Sequence, residues 1–232
     1  MVDGGGSVII SHKHRFIFFA VPRTATHALR QALRPCLGEE DWEQQALFGK
    51  QSIPLAEIAT IGHGHVSFQQ LRACLPAQTL SSYFKFGFVR NPFDRFVSTC
   101  FFLNRQNPDF AGNEVKFMRW AIGNERFRGR VLARPQYRLL TDENGALMMN
   151  YVGRYETLQE SFDEICLRIG IAPSGLGRRN ESRHRGYACY YDASLQQAVA
   201  DWYRKDLDLF GYDMGRIAPE PAASGEETPD TP

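Results

Sequence analysis

No stretch of this 232-residue sequence stays apolar for long. The longest strongly apolar run, Phe16 to Val21, falls far short of the roughly 18 residues a membrane-spanning helix needs. Cysteine is sparse and unpatterned. The five present (Cys36, Cys74, Cys100, Cys166 and Cys189) are odd in number and show no Cys-x-x-Cys spacing. That excludes a disulfide frame and a thiolate zinc site, and reads as free thiols in a reducing compartment. The opening Met-Val-Asp-Gly-Gly-Gly has no basic segment followed by an apolar one, so no signal peptide is visible and a cytoplasmic protein is expected. Lysine is scarce as well, supplying five of 27 basic residues while arginine supplies 22.

What is present is ordinary for one globular domain: 43% hydrophobic and 23% charged residues, which excludes a disordered or collagen-like chain. The expected organisation is an N-terminal segment over 1–14, a single domain over 15–217 and a disordered acidic tail over 218–232. The tail holds Glu220, Glu226, Glu227 and Asp230 and no base, so without it 27 bases face 22 acids and the body carries +5. Arginine offers a planar fork of donors suited to phosphate, sulfate and carboxylate. A GC-rich codon bias accounts for the excess equally well.

Strand-like and helix-like segments alternate along the chain. Arg15 to Val21 and Tyr83 to Val89 are apolar on both faces, as buried parallel strands are. Arg23 to Arg34 carries Ala25, Leu29, Ala32 and Leu33 at helical spacing before Pro35. A short strand is expected around Ile58 to Gly62, then a helix from Phe68 to Leu75 capped by Ser67. Pro92 opens a helix running to about Arg105, as proline in a first turn does. Asn113 to Arg138 is basic and helical, Tyr151 to Tyr155 a strand, Thr157 to Ile169 a helix ended by Gly170, and Ser194 to about Leu209 the last helix, running up to Gly211. The expectation is an α/β fold, a parallel sheet flanked by helices.

Three constellations carry chemistry. The first, Val21-Pro-Arg-Thr-Ala-Thr-His-Ala28, joins a strand to a helix start and offers Arg23, Thr24 and Thr26. Backbone N–H groups at such a start suit an anion. The segment has no glycine, so it is not the Gly-x-x-x-x-Gly-Lys loop of P-loop kinases, and an ordinary capped helix start fits it as well. In the second, Val89-Arg-Asn-Pro-Phe-Asp-Arg-Phe-Val-Ser98, Arg90 closes a central strand, where ligands meet open sheets. Ser98 follows eight residues later. The third, Gly62-His-Gly-His-Val-Ser67, sets His63 and His65 on one side of an extended chain. That spacing suits a metal, but no further ligand stands nearby in sequence.

Together these segments resemble the sulfotransferases that use 3′-phosphoadenosine 5′-phosphosulfate, most closely their carbohydrate-type branch, sulfotransferase family 2. Pro22-Arg-Thr-Ala-Thr-His27 is similar to that family's 5′-phosphosulfate cradle, and Val89 to Ser98 to its 3′-phosphate motif. Val152-Gly-Arg-Tyr-Glu-Thr-Leu158 and Asp206-Leu-Asp-Leu-Phe-Gly-Tyr212 resemble later landmarks, so the resemblance spans about 15–212. It implies a single-domain, P-loop NTPase-like sulfotransferase fold and sulfuryl transfer to an acceptor hydroxyl, with a saccharide as the expected acceptor. It implies the nucleotide as cofactor and no metal, with no nucleic-acid partner and no transmembrane segment expected. Arg23 takes the place of the usual lysine that neutralises the leaving phosphate; Ala25 stands for the glycine and His27 for a threonine. Thr24, Ala25, Thr26, His27 and Ala28 would line the 5′-phosphate, and Arg90 and Ser98 the 3′-phosphate. Tyr155 would stack on adenine, and Arg183 and Arg185 would belong to a basic loop over the nucleotide. The Gly-His-Gly-His loop resembles that of uronyl 2-O-sulfotransferases, which implies His65 as general base with His63 orienting it or acting in its stead. Seven bases between Lys116 and Arg138 against the single acid Glu125 fit either an anionic saccharide or a solvated face. Two other readings stay open: a non-catalytic nucleotide- or glycan-binding relative, and a P-loop-type kinase.

Overall fold

The structure, a computed structural model, describes residues 8–44, 53–61, 63–177 and 186–213. The expected tail and the basic-loop residues Arg183 and Arg185 lie outside these. Five strands form one open mixed sheet in the order β3-β1-β2-β4-β5, with β1 at Ile9–Ser11, β2 at Phe16–Phe19, β3 at Trp42–Glu43, β4 at Phe84–Val89 and β5 at Tyr151–Arg154. β2, β4 and β5 run parallel, as expected. β1 is antiparallel to both β2 and β3, so the sheet is mixed rather than wholly parallel and begins at Ile9. A three-residue strand such as β1 carries too short a pattern to declare itself in sequence.

The central strands are apolar throughout because both sheet faces are covered. Phe16 and Phe18 pack with Leu29, Leu33, Phe86, Phe88 and Phe162 on one face. Ile17 and Phe19, pointing the other way, pack with Phe68, Leu71 and Leu140. The first face is closed by α1 (Thr26–Leu33) and α9 (Leu158–Ile169). The second takes α2 (Ala56–Ala59), α3 (Phe68–Arg72), α4 (Ala77–Ser82) and α8 (Tyr137–Leu140). A third cluster, beside the sheet, gathers α5 (Pro92–Leu103), α6 (Glu114–Gly123), α7 (Glu125–Arg128), α10 (Ala193–Trp202) and α11 (Arg204–Phe210).

Several boundaries follow the local chemistry foreseen. Ser67 caps α3 through a reciprocal bond pair with Gln70. Pro92 opens α5 behind an Asn91 cap, and Gly170 and Gly211 end α9 and α11 at φ 71° and 64°. The last helix, expected unbroken from Ser194 to Leu209, is interrupted at Tyr203 into α10 and α11. The segment expected as a strand from Ile58 is the helical turn α2, with Ile61 N–H bonded to the Ile58 carbonyl. Ala56, Glu57 and Ala59 behind Pro54 are good helix formers, and they outweigh a short apolar pattern.

Candidate active site

Parallel pairing of β2 with β4, Phe19 opposite Gly87, brings the carboxyl ends of both strands to the same edge. The loop after β2 and the first residues after β4 therefore emerge side by side. The first loop is unusually tight. Arg23 and Ala25 both hold positive φ, 66° and 60°, without a glycine between them. Such a conformation costs a non-glycine residue on the order of 1–2 kcal/mol. Ala25 precedes α1 and gives it no side-chain cap, so the opening of that helix carries no hydrogen bond from the side chain of its cap residue.

The helix expected from Arg23 thus begins three residues later. Thr24 is fully buried and its hydroxyl donates to the Val21 carbonyl at 2.9 Å. The hydroxyl is spent on the turn, and what Thr24 can offer an anion is its backbone N–H. Thr26 is partly exposed on the first helical turn, His27 exposed beside it and Ala28 half-buried.

Arg23 and Ser98 meet directly. Nε and Nη2 of Arg23 donate to the Ser98 hydroxyl at 3.1 and 2.9 Å, and the guanidinium lies 4.5 Å from the Phe102 ring centre. Arg90 reaches back from β4: its Nη1 donates to the Arg23 carbonyl at 3.3 Å, and its Nε to Asp94 at 2.7 Å. Its guanidinium covers one face of Tyr155 at 4.0 Å. Arg23, Ser98, Arg90 and Tyr155, spread over more than 130 residues of sequence, form one cluster. Two guanidinium groups, one of them balanced by Asp94, stand beside a helix start, an arrangement suited to phosphate or sulfate.

Sequence reasoning missed what holds Arg90. The side chain of Gln136, fully buried, accepts from the Arg90 N–H at 3.0 Å and donates to the Arg90 carbonyl at 2.9 Å. Buried Asp206 accepts from the Gln136 and Tyr137 N–H groups at 2.8 Å each. Burial holds the Asp206 carboxyl above its ordinary range, against the pull of Arg95 and those N–H groups. Arg95, also buried, donates to the carbonyls of Leu132 and Arg134. The 132–137 segment is pinned from both ends. Asp94 stands in the first turn of α5, within the same motif as Arg90; nothing local marks Gln136.

The two histidines differ sharply. His65 is buried, and its Nδ1 lies 2.7 Å from the Ala20 carbonyl at the end of β2. Because a carbonyl only accepts, Nδ1 carries the proton and the lone pair is left on Nε2. Burial lowers the imidazole pKa to about 4; the Ala20 carbonyl opposes that, and the charges on His63, Arg30 and Arg95 reinforce it. His63 is half-buried, its ring centre 6.0 Å from that of His65. Its Nδ1 has no hydrogen-bond partner among the described residues, and burial, then Arg134, lower its pKa too. A neutral imidazole with a free lone pair stands next to the strand end, as a general base requires.

Comparison with known proteins agrees with this arrangement. The profile of the sulfotransferase family matches residues 7–213. Carbohydrate sulfotransferase 14 of Homo sapiens is 21% identical over 92% of this chain, and carbohydrate sulfotransferase 10 of Xenopus laevis 22% identical over 88%. The aligned regions cover 62% and 67% of those relatives' own lengths. No solved structure matches the chain. These relatives overturn the cytoplasmic expectation. Its basis was free cysteines and the look of the first six residues, and neither fixes a compartment for a chain that aligns with carbohydrate sulfotransferases. No helix among the described residues is long and apolar enough to cross a membrane.

Proposed function

The chain belongs to the sulfotransferase family, and from that membership and the cluster at the strand ends we propose that it moves a sulfuryl group from 3′-phosphoadenosine 5′-phosphosulfate to an acceptor hydroxyl. The names of its relatives support a saccharide as the acceptor. One observation carries the reading: Arg23 grips Ser98 across 75 residues while Arg90 bonds back to Arg23. Both halves of a two-phosphate site are then in contact, and the residues present fit a nucleotide charged at both ends.

The nucleotide, when bound, supplies the sulfuryl group and a phosphate leaving group. The N–H groups of Thr24, Ala25, Thr26, His27 and Ala28 line the mouth of α1 and meet the 5′ end. Arg23 stands beside them to balance charge growing on the leaving oxygen. Arg90 and Ser98 take the 3′-phosphate, and the open face of Tyr155 is left for the adenine. His65 removes the acceptor proton at Nε2 while Nδ1–H stays on the Ala20 carbonyl, which steadies the imidazolium that forms. As in phosphoryl transfer, most of the rate comes from positioning and from fixed positive charge. The reading needs no metal.

Calorimetry with 3′-phosphoadenosine 5′-phosphate and with adenosine 5′-phosphate tests the site. The account expects the first to bind at least about tenfold more tightly, the scale of one charge-assisted contact, and Arg90→Ala to erase the difference. Equal affinities for the unmodified protein would remove the 3′-phosphate contact.

A further inference from the structure

Arg23 is held in more ways than its charge alone requires. Its backbone sits at φ 66°, a left-handed conformation that is costly for a residue with a Cβ, and its carbonyl accepts from Arg90. Its guanidinium meets α5 twice. Nε and Nη2 donate to the Ser98 hydroxyl at 3.1 and 2.9 Å, along one edge of the planar head. The same head stands over the Phe102 ring, 4.5 Å from its centre.

Ser98 and Phe102 stand four residues apart within α5, so they share one face of that helix. Ser98 is fully buried and Phe102 half-buried. The hydroxyl fixes the head at its edge, and the ring supports it from beside. A planar cation with its donors in the plane suits such a seat. An ammonium is a compact point charge, and it cannot offer a fork to the hydroxyl and a face to the ring at once. Arg105 places a second guanidinium over the same ring at 4.3 Å, so Phe102 is an apolar surface on which two positive heads rest.

We propose that Phe102 is a positioning residue for Arg23: with Ser98 it forms a seat fitted to a planar guanidinium and keeps that charge at the mouth of α1. Its effect runs through Arg23. The charge is fixed before the nucleotide arrives, so stabilising the leaving oxygen needs no reorganisation at the moment of transfer. Loss of the ring should therefore fall on the rate and spare nucleotide binding. That consequence for turnover rests on the sulfotransferase reading; the seat itself does not.

Two measurements on the whole protein test it. Proton–nitrogen NMR of the free protein reads the seat without any reaction. The Arg23 Nε–H signal, assigned by its loss in Arg23→Lys, should move downfield when Phe102→Leu removes the ring and stay near its place in Phe102→Tyr. Turnover with labelled nucleotide reads the consequence. Phe102→Leu should lower kcat by about three- to thirtyfold, the scale of one cation–π contact, with nucleotide affinity within about threefold of native. Phe102→Tyr should keep most of the native rate. Arg23→Lys should lose rate as well, and the two losses should combine to less than their product, since both act through one seat. Arg23→Lys leaves the ring in place, so it stays informative if Phe102→Leu loosens the fold. An unmoved Nε–H signal overturns the proposal, as does full rate in Phe102→Leu or in Arg23→Lys. A loss in Phe102→Tyr as deep as in Phe102→Leu, or a fall in nucleotide affinity as large as that in kcat, overturns it too. A signal that moves as expected in a protein that transfers no sulfuryl group upholds the seat and counts against the transferase reading.

Discussion

At the scale of single residues, His65 gives the sharpest expectations. A solvent-like histidine, with pKa near 6.5, would lose its basic form below about pH 6. Burial brings this imidazole to about 4, so in the free enzyme it stays neutral through the mildly acidic range. The acid limb of kcat/KM should accordingly fall near pH 4 rather than near 6.5, read from a pH–rate profile. The same shift affects stability. The folded-state pKa is depressed, so the contribution is full above about pH 6.5 and is lost as pH falls toward 4. Denaturant melts at pH 7 and pH 5 should show a loss in the native protein that is smaller in His65→Gln. General-base help is typically worth about 10² to 10⁴ in rate. His65→Ala should lose that factor in turnover while nucleotide affinity, met by Arg23, Arg90 and N–H groups, changes only a few-fold. Collapse in His63→Ala with survival in His65→Ala would assign the base to the other histidine.

At the scale of elements, the loop before α1 stores strain that glycine would relieve. Ala25 at φ 60° costs on the order of 1–2 kcal/mol, and glycine gives back part of that through a more flexible unfolded chain. Ala25→Gly should therefore raise stability by about 0.5–1 kcal/mol in urea melts; a loss would mean that the left-handed turn is not a burden. The opposite holds in β5. A Cβ on Gly153 would stand 2.5 Å from the Phe88 ring, so Gly153→Ala should destabilise by about 1–3 kcal/mol, the usual cost of overpacking. The elements with strong local chemistry were legible in the sequence: the two-faced apolar runs of β2 and β4, Pro92 and Ser67 at helix starts, Gly170 and Gly211 at helix ends. β1 and β3 were not, because a strand of two or three residues takes its identity from the partner it meets. The helical turn at Ala56–Ala59 was misread because propensity and a short apolar pattern pointed different ways.

At the scale of the whole molecule, the site depends on segments far apart in sequence. Motif residues such as Arg23, Arg90 and Ser98 could be picked out from strand ends and a family resemblance. Their mutual contact could not, since it arises only when β2 and β4 pair in parallel. Gln136 was wholly invisible: its role comes from Asp206 and Arg95 pinning the 132–137 segment against the Arg90 backbone. Gln136→Leu should therefore cost about tenfold in affinity for the doubly phosphorylated nucleotide and little for adenosine 5′-phosphate, a split that general destabilisation would not produce.

The central claim, that this protein moves a sulfuryl group, is tested most directly by turnover. Purified protein is given nucleotide labelled in the sulfuryl sulfur together with a panel of neutral and acidic saccharides, and label in saccharide is counted beside the His65→Ala variant. The account predicts steady transfer to at least one saccharide without added metal, and a fall of about 10²-fold or more in the variant. Tight nucleotide binding with no label reaching any saccharide would contradict it and leave a binding protein built on the sulfotransferase fold.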